Sequence, residues 1–253
     1  MTVAPDQQST RSDPDHWRSV AAGLEGRPAE DILAWAAETF GGDLVATVSF
    51  EDAALPHLVA THAPSATVAF LDTQYHFAET WWLVEATRRR LGGPLRLEIL
   101  RPGPGVLPDD RWVADPEGCC AVRKVEPLGR ALAGRAAWIT GIRRIDGPTR
   151  AAAPVVEWDD RWGVVKINPL VAWSDADLEG YQTAHDLPRH PLASRGYPSI
   201  GCWPCTRPVA DGEDRRAGRW AGLDKTECGL HLGAAGTDAG TDSAAVAVAV
   251  EVR

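Results

Sequence analysis

Five cysteines stand out in this 253-residue chain. Four form close pairs, Cys119-Cys120 and Cys202-x-x-Cys205, and the fifth, Cys228, stands alone in KTECGLH. Two pairs supply four thiolates, enough for tetrahedral zinc or an iron–sulfur cluster. Adjacent cysteines fit a standard zinc half-site poorly, because its ligands usually have at least two residues between them. A disulfide between direct neighbours would be strained, and a bridge within Cys202-x-x-Cys205 leaves the first pair unexplained. Spacing leaves zinc and iron–sulfur both open. Basic residues gather near the cysteines: Arg123-Lys124, Arg143-Arg144, Arg207, Arg215, Arg216, Arg219 and Lys225. Any one of them reads equally well as solvated surface charge; as a group they suit an anion.

Such side chains need a scaffold, and its pattern is legible. Apolar spacing predicts helices in AEDILAWAAETF, EDAALPHLVATHA, AETWWLVEATRRRL and AVRKVEPLGRAL. SDADLEGYQTAHDL reads as a helix with Ser174 as N-cap and Asp177 closing a capping box. Short apolar runs between them, in DLVATVSF, ATVAFLDT, LRLEIL, AAWITGIR and WGVVKINPL, read as strands. Strands alternating with helices define an α/β single domain with a mainly parallel sheet flanked by helices. In such sheets ligands sit beyond the carboxyl ends of the strands. The loops there are SFEDAA, LDTQYHFAET and TGIRRIDGPTR, the most polar in the chain.

Composition narrows the class further. Hydrophobic residues make up 44% and charged residues 24%, ordinary for a globular protein. The net charge of −9 argues against general nucleic-acid binding. No apolar run reaches membrane-spanning length, and MTVAPDQQSTRSDPD lacks the basic-then-apolar pattern of a secretory signal. The expectation is a cytoplasmic chain with no membrane partner, in which cysteine pairs bind metal or do redox chemistry. Residues 1–27 carry few apolar side chains and are expected to be poorly ordered. The alanine- and valine-rich tail carries no functional assignment.

CCAVRKVEPL, GCWPCTRPV, GEDRRAGRW and KTECGLH, with SFEDAAL, LDTQYHFAETW and TGIRRIDGPTR in the same order, resemble the assimilatory adenylyl-sulfate (APS) reductases of the APS/PAPS reductase family. The likeness runs from about residue 30 to His231. It implies a fold similar to the adenine-nucleotide α-hydrolase (PP-loop) type, with a reductase domain over 28–220 and a mobile C-terminal segment over 221–253. It implies thioredoxin-dependent reduction of adenylyl sulfate to sulfite and AMP. It also implies a [4Fe–4S] cluster on Cys119, Cys120, Cys202 and Cys205, which decides for iron–sulfur over zinc.

The resemblance makes Cys228 the nucleophile. It would attack the sulfur of the mixed anhydride, form an S-sulfonate, and then yield sulfite to a thioredoxin thiolate. Like-charge repulsion at the oxyanions demands cations. By motif position these are Lys124, Arg216, Arg219 and His231, with Arg150 and Arg144 from the arginine-rich loop; Arg150 is the better of the last two for direct contact. Ser49 is expected at the nucleotide, and Asp72 and Thr73 at the adenosine. SFEDAA departs from the glycine-rich SGGxDS loop of PP-loop enzymes, and Gln74 stands where the family often has glycine. Alternatives are a PAPS or dual-specificity reductase, an ATP-dependent PP-loop enzyme, or a non-catalytic metal-binding module. Oligomeric state stays open, a homo-oligomer included.

Overall fold

The computed structural model describes residues 12–222 together with Lys225, Glu227, Gly229 and Leu230. In chain order come α1 (Pro14–Leu24), α2 (Ala29–Phe40), β1 (Leu44–Val48), α3 (Ala54–His62), β2 (Thr67–Leu71), α4 (Ala78–Leu91) and β3 (Leu97–Leu100). Then follow α5 (Arg111–Ala114), α6 (Pro116–Cys120), a π-turn (Ala121–Val125), α7 (Glu126–Leu132), β4 (Ala137–Ile139), β5 (Val156–Asp159), β6 (Val164–Ile167) and α8 (Asp175–Ala184). The expected single α/β domain is present.

The six strands lie in the order β3-β2-β1-β4-β6-β5. All neighbours are parallel except β5 and β6. The chain steps from β1 outward to β3, then returns to the other side of β1 at β4. That reversal creates a switch point between β1 and β4, where loops diverge and leave a crevice.

Strand periodicity divides the core in two. Leu44, Ala46, Val48, Val68, Phe70, Ile139, Val165 and Ile167 point to the larger core, built with α1 to α4. Val45, Ala69, Leu71, Trp138 and Val164 point to the opposite face, covered by Leu128 and Leu132 of α7. The central parallel strands β1, β2, β4 and β6 are buried on both faces, as their unbroken apolar runs require, while the edge strand β3 is partly exposed. Among the described residues no helix is long and apolar enough to cross a membrane.

Two differences from the sequence reading concern the edges. The expectation of poor order across 1–27 is corrected for 14–24, which form α1. Asp13 caps it through its carboxylate. Trp17, Ala21 and Leu24, spaced as one helical face, are buried in the main core. Three apolar residues suffice because the remaining face is meant for water. The strand β5 is an additional, antiparallel edge element, tied to β6 by an ion pair at 2.9 Å across the ladder between buried Lys166 and the partly exposed Glu157.

The helix α8 has the expected cap: Ser174 and Asp177 make the reciprocal pair of hydrogen bonds. It docks on α3 through His57 Nδ1 and the Tyr181 hydroxyl, 2.7 Å apart. That contact brings Asp175 and Leu178 to the mouth of the crevice.

Candidate active site

A cleft of about 200 Å³ opens at the carboxyl ends of β1, β2, β4 and β6. Ser49, Glu51 and Asp52 line it from the β1 loop, and Thr73 and His76 from the β2 loop. Thr140 to Arg143, Asp146 and Arg150 line it from the β4 loop, with Lys124, Arg216 and Arg219 from more distant segments.

The β1 loop explains its missing glycines. Phe50 takes φ +53°, the left-handed conformation that glycine would adopt freely. Its ring is buried and stands edge-on to Phe70, with centroids 5.2 Å apart. Burial of an aromatic, worth roughly 2–3 kcal/mol, outweighs the local strain of about 1–2 kcal/mol. Gln74 solves the same problem at φ +69°. Its backbone N–H donates to Asp72 at 2.9 Å, its amide nitrogen donates to the Val106 carbonyl at 3.0 Å, and its amide oxygen accepts from Arg123.

The four paired cysteines come together. Cys119, Cys120, Cys202 and Cys205 line one small void of about 10 Å³, walled by Tyr75 and Trp112 and flanked by Arg123 and Lys124. All four are free thiols. The first pair ends α6, whose N-cap Asp115 accepts from the Gly118 N–H. The π-turn after it places buried Arg123 beside the void and Lys124 on both cavities; π-turns are frequent at functional sites. The second pair lies in a tight turn in which Thr206 Oγ1 donates to the Cys202 carbonyl at 2.9 Å. Burial, and then the neighbouring Cys202, push the Cys205 thiol up to about 11. Burial and Cys120 raise Cys119 as well. Four thiolates gathered on one void would need a cationic partner. Among the described residues, no group of three or more His, Cys, Asp or Glu is arranged to hold a metal ion.

The two cavities share a wall made by Thr73, Lys124 and Cys202. Arg219 stands at its rim. Its guanidinium lies so close to Gly201 that an added Cβ there would sit 2.3 Å from Nη2. A bridge between Thr206 and Arg219 and the Trp220 N–H donating to the Cys205 carbonyl tie this strand to the cysteine turn. Burial lowers the pKa of Arg216, and the neighbouring Arg150 and Arg219 charges add to that, against Glu227. A desolvated cation crowded by like charge favours an oxyanion. Burial raises the Glu51 and Asp52 carboxyls, in spite of Arg219 and Arg215 near the first and Arg143 near the second.

The remaining expected site residues separate. Asp72 is turned away from the cleft, accepting from Arg101 Nε at 3.1 Å. Arg144 forks onto Glu25, just after α1, at 2.6 and 2.9 Å, and does not line the cleft; its neighbour Arg143 does. Arg150 is at the cleft but grips Glu227, through Nε at 2.8 Å and Nη2 at 2.7 Å. Cys228 and His231 lie outside the described residues. Around them, Lys225 Nζ stands 2.7 Å from Glu117 and 3.6 Å from Cys120 Sγ. Arg161 donates to the Gly229 carbonyl at 2.5 Å, and Leu230 packs on the α7 side of the sheet. These four positions of the segment expected to be mobile are therefore seated. Sequence reasoning placed Arg143 only in the general basic group and assigned no role to Glu227, His76 and Asp146; the charge reversal between Glu227 and the arginine-rich loop was the available signal.

Fold and cavities together define an α/β protein with an arginine-lined cleft at the sheet's switch point, sharing a wall with a four-thiol site. The chain belongs to the phosphoadenosine phosphosulfate reductase family, whose domain, described as "Phosphoadenosine phosphosulfate reductase domain", matches residues 43–208. It is a reductase of that family. It is similar to the adenosine 5'-phosphosulfate reductase of Rhodococcus opacus (strain B4), 45% identical over 227 residues, covering 83% of this chain and 91% of the relative. The enzyme of the same name from Streptomyces coelicolor is 44% identical over 237 residues, 91% of this chain and 100% of the relative. Among solved structures, the phosphoadenylyl-sulfate (PAPS) reductase of Candida auris, in a phosphate complex, superposes with a TM-score of 0.67 at 28% identity, over 77% of this chain and 98% of that one. The FMN adenylyltransferase of Candida glabrata, with FAD and inorganic pyrophosphate, gives 0.52 at 15% identity, over 79% and 75%; that likeness concerns the fold alone.

Proposed function

We propose that the protein reduces adenylyl sulfate to sulfite and AMP in sulfate assimilation, with Cys228 as nucleophile and thioredoxin as reductant. The observation that carries this reading is the shared wall: Lys124 lines both the arginine-rich cleft and the four-thiol void. Relatives at 42–45% identity named adenosine 5'-phosphosulfate reductase support the substrate.

Lys124, Arg216 and Arg219 hold the phosphosulfate oxyanions and reduce the repulsion that a thiolate meets there. Ser49 and Thr73 contact the nucleotide, and His231 is assigned to the oxyanions through its motif. The Cys228 thiolate attacks sulfur, the S–O bond to AMP breaks, and AMP carries away the electron pair. A thioredoxin thiolate then attacks Cys228 Sγ. Sulfite leaves with the S–S bonding pair, and the mixed disulfide is resolved by the second thioredoxin thiol.

The four thiols are a donor set suited to a [4Fe–4S] cluster: they are unbridged and line one void, three of them buried and Cys205 partly so. When bound, the cluster supplies structure and a fixed charge beside Lys124. Anaerobically purified protein is expected to be brown, with about four irons per chain; a colourless zinc protein would reject the assignment. Phe50 and Glu51, standing where an ATP pyrophosphatase carries the glycines that cradle phosphate with backbone N–H groups, weigh against that alternative. The functional test is sulfite and AMP production from adenylyl sulfate with reduced thioredoxin. Pyrophosphate release from ATP, with no sulfite, contradicts the reading, and a higher kcat/KM on the 3'-phosphorylated substrate moves it to a PAPS reductase.

A further inference from the structure

We propose that Glu227 is a positioning residue: its carboxylate, gripped by Arg150 and Thr149, is the latch that seats the segment around residue 228 on the cleft. This rests on the proposed reaction only for what the segment does there.

The geometry is that of a built receptor. The Glu227 side chain is only 6% exposed. Its Oε1 accepts from Arg150 Nε at 2.8 Å and from Thr149 Oγ1 at 3.1 Å, and its Oε2 accepts from Arg150 Nη2 at 2.7 Å. Arg216 Nη2 stands 3.5 Å from the same Oε2. A buried carboxylate is tolerated only when paired, and breaking such a pair leaves a desolvated charge behind. A bidentate arginine fixes direction as well as distance. Arg150 is in turn held by Asp146, at 3.3 Å from Nη1. The receptor is therefore tied to the β4 loop.

The latch acts at the middle one of three anchors. Lys225 binds on the cysteine side, at Glu117 and Cys120. Glu227 binds on the cleft side, and the Gly229 carbonyl is caught by Arg161 just beyond. Residue 228 lies between these anchors in the chain. A single misplaced anchor shifts a nucleophile by an ångström or more, and such displacement costs roughly 100-fold in rate. The arrangement also assigns Arg150: the Nε–Nη2 edge of its guanidinium is committed to Glu227 and its Nη1 to Asp146, so it serves the reaction through the segment, while Arg216 and Arg219 face the anion.

The test separates a latch from a stand-in anion that merely fills the site until substrate arrives. Three holoproteins are compared: wild type, Glu227→Gln and Glu227→Gln/Arg150→Gln. Single-turnover formation of the Cys228 S-sulfonate from adenylyl sulfate is followed by mass spectrometry, and AMP affinity by calorimetry. A latch predicts sulfonate formation slowed by about 10- to 100-fold in Glu227→Gln, AMP affinity within about twofold of wild type, and no further loss in the double variant. Release of sulfite from preformed S-sulfonate by thioredoxin is spared. A wild-type rate with tighter nucleotide binding overturns the proposal in favour of the stand-in, and a parallel loss of AMP affinity overturns it because the carboxylate would then support the cleft itself. A second readout does not depend on the reaction: iodoacetamide labelling of Cys228, read by peptide mass, is faster in Glu227→Gln than in wild type. Equal labelling overturns the latch. If wild type forms no S-sulfonate, the proposed function fails while the labelling comparison still decides the latch.

Discussion

The Thr73 hydroxyl lies 3.2 Å from the sulfur of Cys202. One residue stands early in the β2 loop, on the arginine-lined cleft, and the other belongs to the four-thiol site. Thr73 Oγ1 also accepts from the Tyr75 N–H at 3.3 Å, which fixes the hydroxyl between the two. A change of charge on the sulfurs therefore has a short route to the cleft, and Lys124, which lines both cavities, provides a second.

Replacing that hydroxyl tests the connection. Thr73→Val keeps the shape but deletes a buried hydrogen bond to sulfur, a loss of about 1 kcal/mol, and leaves the Tyr75 N–H unpaired. Iron should be stripped by a chelator several-fold faster than from wild type, and kcat/KM on adenylyl sulfate should fall. Identical stripping rates and activity would show that the contact carries no coupling.

Arginines of similar sequence context should behave very differently. Arg219 stands in the cleft, while Arg144 is paired with Glu25 beside α1. Arg219→Ala is expected to lower kcat/KM by about 100-fold or more, as removal of a charge-stabilising donor does. Arg144→Ala should lower Tm by a few degrees or less, because its ion pair is partly exposed, and leave kcat/KM within about twofold. Steady-state kinetics and thermal melts on both variants decide it.

Stability should weaken in mild acid through His190. Burial lowers its pKa to about 4, against a smaller opposing influence of Glu79. Its Nε2 is 3.0 Å from Thr80 Oγ1, and its Nδ1 accepts from the Leu192 N–H at 3.2 Å. A folded-state pKa below the unfolded value means that the unfolded chain binds the proton first. The contribution is then complete above about pH 6.5 and is lost as pH falls toward 4, up to about 3 kcal/mol. His190→Gln should flatten that part of a stability profile measured by denaturant titration; an unchanged slope would contradict it.

The fold was legible wherever a segment's own pattern decides its state. Ala78–Leu91 carries helical spacing and a glycine stop, and Ser174 with Asp177 announces the start of α8. Strand β5 was not legible, since four half-buried edge residues have little periodicity of their own. Helix α1 was obscured because its buried side chains are few. At the site, motif order pointed to the cysteines and to Lys124, Arg216 and Arg219. It did not separate Arg144 from Arg143, because adjacent residues on an extended loop face opposite ways and only tertiary packing chooses between them. Nor did it reveal that the carboxylate of Glu227 would select Arg150, a pairing of residues far apart in sequence.

The central claim is that sulfur passes through a covalent bond to Cys228. Anaerobic protein mixed with adenylyl sulfate in the absence of thioredoxin, then digested and weighed by mass spectrometry, tests it most directly. The account predicts one added sulfonate, confined to the peptide containing Cys228, with stoichiometric AMP release, and neither in Cys228→Ser. Sulfite formation at the normal rate by the serine variant, or a sulfonate carried on another cysteine, would contradict it.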